Sequence, residues 1–134
     1  MSKRGFTLVE LMVSILIIAI LVSISVPLYL NHQEKSIAGK ALSNLERMYS
    51  AQLVYNVDYG GFDTDEPSLQ GFMDFSLDDG DWTYTVTNVA GDTFTVEATR
   101  SRGRFSGQTI SMTLDNSTRQ KQINYPGGGS GWPP

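Results

Sequence analysis

No cysteine occurs anywhere in the 134 residues, which excludes a disulfide framework, a thiolate zinc site and a cysteine nucleophile. Histidine is nearly absent as well. His32 stands alone between Asn31 and Gln33, with no credible Ser-His-Asp set around it, and reads as a solvated helix residue. No glycine-rich phosphate-binding motif precedes a helix pattern. An enzyme is therefore the remotest reading, with no catalytic residue, cofactor or metal assigned. Basic residues are missing over a long stretch: from Asp58 to Asp81 there are eight acidic residues and no Lys or Arg, within a chain of net charge −4. A general nucleic-acid footprint is disfavoured by that balance. The length suits one compact domain with an appendage and leaves little room for a second core.

What the sequence has in abundance is one apolar run. Phe6 to Val26 reads FTLVELMVSILIIAILVSISV, with Glu10 as its only charge. At a rise of ~1.5 Å per residue this run makes roughly 31 Å of helix, matching a hydrocarbon core of ~30 Å. Three ordinary explanations meet difficulties. A cleaved secretory signal has Lys3 and Arg4 for its basic end and Ser23-Ile24-Ser25 as a small-x-small site, but the run exceeds the usual apolar region of ~7–15 residues. A plain anchor should shun Glu10, because a carboxylate at membrane depth costs at least ~2.5–3.5 kcal/mol and normally has a partner. A soluble core helix would show a polar stripe, which is missing. Cleavage between Gly5 and Phe6 resolves the problem of the unpaired acid. The new α-amine is a cation near neutral pH, one helical turn from Glu10.

The stretch Lys3-Arg4-Gly5-Phe6-Thr7-Leu8-Val9-Glu10 resembles the prepilin processing motif of type IV pilins and type II secretion pseudopilins. The resemblance covers Lys3 to about Tyr55 and is architectural beyond it. It implies that Gly5 precedes a prepilin peptidase cut, that Phe6 becomes the N-methylated first residue, and that Glu10 is the assembly carboxylate. Pro27 matches the proline that pilins carry late in this helix, and locally it removes one donor and kinks or loosens the helix. The implied organisation is a leader over residues 1–5, a transmembrane and filament-core helix over 6–27, and an amphipathic helix with a globular head over 28–134. The implied function is a structural subunit of a type IV pilus-like filament, with a type II secretion pseudopilin as the alternative. The implied partners are further copies of itself, the prepilin peptidase and the inner-membrane assembly machinery. The precursor would sit in the inner membrane with Lys3 and Arg4 cytoplasmic, before joining an extracellular or periplasmic filament.

Beyond Pro27, Ala38, Leu42, Leu45, Tyr49 and Leu53 recur at spacings of three or four, predicting an amphipathic continuation of the helix. Asp58-Tyr59-Gly60-Gly61 predicts its stop. Residues 60–81 predict a long loop tacked down by Phe62, Leu69, Phe72, Phe75 and Leu77. Alternating patterns predict strands at Trp82–Thr87, Thr93–Ala98 and Thr109–Leu114, with a short fourth at Gln120–Ile123 and turns at Ala90-Gly91-Asp92 and Asp115-Asn116-Ser117. The expected fold class is α+β, a long N-terminal helix packed on a small antiparallel meander. Asp78-Asp79-Gly80-Asp81 lacks the spaced carboxylates and closing Glu of a calcium loop and reads as a solvated acidic turn. Arg100, Arg102 and Arg104 are the one feature favouring a DNA-binding minor pilin. The preferred reading makes them a solvated loop complementary to the acidic loop of an adjacent subunit, with the DNA-binding minor pilin as the remote alternative. The Gly/Pro-rich tail from Tyr125 is either loose or pinned by Trp132.

Overall fold

The computed structural model describes residues 5–64, 66–115, 118–129 and Trp132. Lys3, Arg4, Asn116, Ser117, Pro133 and Pro134, which figure in the sequence reading, lie outside the described residues. The chain divides into two compact units, residues 1–35 and residues 36–134. One helix, α1 (Leu8–Tyr59), supplies all the regular structure of the first unit and begins the second.

In the first unit the helix is apolar on all sides, and the window that could cross a membrane has a mean hydropathy of 2.8 with none of it buried. Its serine hydroxyls are satisfied locally. Ser14, Ser23 and Ser25 donate to the carbonyls of Glu10, Ile20 and Leu21, each at 2.7 Å, so none needs water or a second chain as an acceptor. Pro27 cannot donate to the Ser23 carbonyl one turn back, yet the helix is unbroken through it. In the isolated chain this missing bond alone does not interrupt α1.

In the second unit α1 ends where the sequence predicts. Gly60 takes φ +76° and its N–H reaches the Asn56 carbonyl at 2.9 Å, a left-handed cap that a side chain would strain. Four strands follow in a meander, β1 (Trp82–Ala90), β2 (Thr93–Arg100), β3 (Thr109–Leu114) and β4 (Lys121–Asn124), ordered as in the chain and antiparallel throughout. Gly91 at φ +57° turns β1 into β2. The register aligns Tyr84 with Ala98 and Ile110, and Val86 with Val96 and Met112, on one face. Threonines 83, 85, 87, 95, 99, 109 and 113 take the other, which is mostly half-buried, with Thr95 buried.

The helix stripe differs from the expected one. The buried α1 residues are Ala38, Ala41, Asn44, Leu45, Met48, Ala51 and Gln52, while Leu42 and Tyr49 are half-buried and Leu53 is exposed. The face is rotated toward small side chains because Ala38 and Ala41 let the helix backbone approach Trp82 closely. The Trp82 indole N–H donates to the Ile37 carbonyl at 3.1 Å. Trp82, Tyr84, Phe94, Leu45 and Met48 are each at most 1 % exposed, and burial of such side chains contributes about 1.5–3 kcal/mol apiece.

The segment expected as loop contains a short helix, α2 (Glu66–Leu69), and a 3₁₀ turn at Gln70–Phe72. Leu69 is fully buried, and Phe62 and Phe75 pack on Phe94 and Tyr84 with centroids 4.6 and 5.3 Å apart. Gln52 clamps the segment from the helix: its Nε2 donates to the Asp63 carbonyl at 2.7 Å and its Oε1 accepts from the Asp63 N–H at 3.0 Å. The tail is pinned by Trp132, whose ring meets Trp82 and Phe105 edgewise and whose N–H donates to Gln108 Oε1 at 2.6 Å.

Candidate functional site

Gly5, Phe6 and Thr7 precede the helix as exposed, non-helical chain, with Phe6 74 % exposed. Glu10 lies in the first turn of α1 and Pro27 farther along it, both exposed. The structure thus brings Phe6 and Glu10 to the same end of the helix and leaves Pro27 apart from them.

The carboxylate of Glu10 has a partner that the sequence reading missed. The backbone N–H and the hydroxyl of Thr7 both donate to Glu10 Oε2, at 2.9 and 2.8 Å, and the Glu10 N–H returns a bond to Thr7 Oγ1 at 3.2 Å. This is a reciprocal capping box, which satisfies backbone donors that the first turn of a helix leaves open. Its signal was present as Thr-x-x-Glu before an apolar run. Among the described residues Glu10 Oε1 has no hydrogen-bond partner, so one oxygen holds the helix end and the other stays available.

A second polar group lies in the head. Asp79 Oδ1 accepts from the Trp82 and Asp81 N–H groups at 2.8 and 3.0 Å, and Oδ2 accepts from the Tyr84 hydroxyl at 3.1 Å and faces Lys40 Nζ at 3.1 Å. Asn44 donates to the same tyrosine oxygen at 3.0 Å. Burial pushes the Asp79 carboxyl up, but the Trp82 N–H, Lys40, the Asp81 N–H and the Tyr84 hydroxyl together hold it below the usual carboxylate value. Burial raises the Tyr84 hydroxyl. Asp81 is lowered by the Arg102 guanidinium first and by Arg100 next, at 2.9 and 3.2 Å.

These contacts correct the reading of both charged motifs. The acidic turn is tied into the head, since Asp79 spends both carboxylate oxygens and Asp81 its Oδ1 on this chain's own donors. Arg100 belongs to the strand β2, is 3 % exposed and lies over the Trp82 ring at 5.6 Å. Arg100 and Arg102 therefore pair with the acidic turn of the same chain, where the sequence suggested that of an adjacent subunit. Among the described residues no group of three or more His, Cys, Asp or Glu could hold a metal ion.

Comparison with known proteins bears on the N-terminal half. Residues 1–26 match the family described as the prokaryotic N-terminal methylation motif. The type II secretion system core protein G of Klebsiella michiganensis is 38 % identical over 72 residues, covering 54 % of this chain and 51 % of that protein. The type IV major pilin protein PilA of Myxococcus xanthus is 45 % identical over 50 residues, 37 % of this chain and 23 % of the relative. The prepilin peptidase-dependent protein D of Escherichia coli is 39 % identical over 70 residues, 52 % and 48 % of the two chains. The chain spans about half the length of the first of these relatives, and less of the pilin.

Proposed function

We propose that this chain, which belongs by its N-terminal segment to the superfamily of type IV pilins and type II secretion pseudopilins, is a structural subunit that polymerises through α1 into an extracytoplasmic filament. The observation that carries this reading is the state of the apolar half of α1. Large apolar residues from Phe6 to Leu30 are exposed, many of them by half or more, so this surface demands lipid in the single subunit and neighbouring helices in an assembly.

The steps follow from the charges. Lys3 and Arg4 hold the precursor's N-terminus on the cytoplasmic side. Prepilin peptidase cuts after Gly5, in the exposed stretch before the helix, and methylation of the Phe6 amine leaves it a cation. As the helix leaves the membrane for the filament, Glu10 Oε1 meets the Phe6 amine of an adjacent subunit while Oε2 keeps its Thr7 cap. Pro27, which lacks the backbone donor that the helix uses at its other interior positions, is where α1 melts when the helices pack. The precursor sits in the inner membrane, and the head projects outside.

The pseudopilin reading is favoured by the type II secretion core protein G relatives, which align over half of this chain. The two readings part on the fibre: long surface filaments for a pilus, short periplasmic ones for a pseudopilus. Co-expression of the full chain with prepilin peptidase and an assembly platform tests both, with electron microscopy of intact and osmotically opened cells and mass analysis of the subunit. A mature chain starting at methylated Phe6 and recovered in fibres is expected. A start at Met1 or Val26, or subunits confined to the membrane, would overturn the proposal.

A further inference from the structure

Two exposed patches at opposite ends of the second unit remain without a partner, and they differ in charge. Where α1 ends, Val57 is 83 %, Tyr59 68 % and Phe72 40 % exposed, and Asp58 lies exposed between the first two. The sequence from Asp58 to Glu66 adds three more acids and no base. At the other end, where the indole of Trp82 bonds to Ile37, the β2–β3 connection presents exposed Arg104, its guanidinium 5.3 Å from the Phe105 ring. Among the described residues neither Asp58 nor Arg104 has an ion pair, although Arg100 and Arg102 beside it are paired with Asp81.

Apolar patches of this kind mark interaction surfaces, and here the two are complementary. One is apolar and acidic, the other an arginine stacked on an aromatic ring, a combination frequent at the centre of interfaces. The geometry points to a head-to-head-end contact between copies of this chain, in which the Arg104–Phe105 loop of one subunit seats against Val57, Asp58, Tyr59 and Phe72 of the next. The occupant is a second copy because the chain itself carries both halves of the contact, on surfaces too far apart to meet in one molecule: the part of α1 from Ile37, beside Trp82, to Tyr59 separates them by roughly 33 Å at a helix's rise. A contact between two different patches is heterologous. Such a contact is not used up by one pairing, so where its rotation does not close a ring it propagates a helical array.

This inference rests on the filament reading and adds to it the contact that sets how heads stack. The natural absence of cysteine provides a clean test in the full-length chain, assembled by its own machinery. Sheared filaments are treated with a flexible bis-maleimide. With Asp58→Cys and Arg104→Cys combined in one chain, a ladder of covalent multimers is expected; with either substitution alone, only monomer. In parallel, Arg104→Glu and Asp58→Lys should each lower filament yield by about tenfold, the effect of one like-charge contact at an interface, and together should restore most of it. Wild-type filaments without a ladder from the double cysteine variant, dimers from either single variant, or undiminished yield from both charge reversals would overturn the contact and leave the filament reading standing. No wild-type filaments would overturn both.

Discussion

The capping of α1 by Glu10 and its proposed part in assembly are separable by a single substitution. Replacement by Ala removes the cap and the charge together, whereas Gln retains a residue that completes a capping box. Glu10→Gln should therefore insert, be cut after Gly5 and keep its helix start, yet assemble poorly. A buried ion pair broken from one side costs about 3–5 kcal/mol, repeated at every subunit. The ratio of processed subunit in membranes to subunit in sheared filaments checks this, and normal filament yield from Glu10→Gln would assign the residue to capping alone. Farther along, Asp79 makes an acid-sensitive joint. Its carboxyl is held low in the folded head, so its contribution is complete above the unfolded value of about 3.9 and is lost as pH falls through the folded one. Asp81 acts in the same direction. Thermal melting of fragment 28–134 should fall steeply below about pH 4, and Asp79→Asn should flatten that fall while lowering stability at pH 7 by about 1–3 kcal/mol. A pH profile unchanged by Asp79→Asn would refute it. The Glu10 position was legible because an acid inside an apolar run stands out against its surroundings. The burial of Arg100 was not: only the packing of β2 against Trp82 removes that guanidinium from water, and nothing in the local sequence records it.

At the scale of elements, the four strands were largely legible because bulky and threonine side chains alternate along them, and period two has few other meanings. β1 runs three residues beyond its expected end, past a bulge at Asn88, which takes φ 51°. The short α2 could not be read, since four residues hold barely one helical turn and show no period. Side-chain size is a poor guide to the buried helix face: Leu42, Tyr49 and Leu53 are apolar and large enough for a core, but close approach of α1 to the sheet selects alanine. That geometry gives opposite expectations for neighbouring positions. Ala41 is fully buried, and Ala41→Leu should destabilise fragment 28–134 by about 1–3 kcal/mol through overpacking. Gly39 faces open space, with nothing within 4 Å of an added Cβ, and Gly39→Ala should stabilise by about 0.5–1 kcal/mol. Urea titrations of the two variants read both signs, and a destabilised Gly39→Ala would show that this face of α1 is occupied.

For the whole molecule, the separation into residues 1–35 and 36–134 means that the apolar surface and the folded core occupy different stretches of chain. Removal of residues 1–27 should leave a soluble, monomeric head with native stability, checked by sedimentation and circular dichroism. A fragment that stays in membranes or still forms fibres would contradict this division. The meander has a consequence in time. Each strand pairs only with its neighbour in the chain, so the sheet closes through short loops, whereas the bonds joining it to α1 bridge 40 residues for Asn44 to Tyr84 and 75 for Lys121 to Glu46. Contacts between sequence neighbours form fastest and those spanning long loops lag behind. Pulse-labelling hydrogen exchange during refolding should find β1, β2 and β3 protected before the helix from Ala38 to Gln52. The helix is thus the last element to be claimed by its own head, and on the filament proposal a subunit reaching the assembly would have a sheet ready before it has a docked helix.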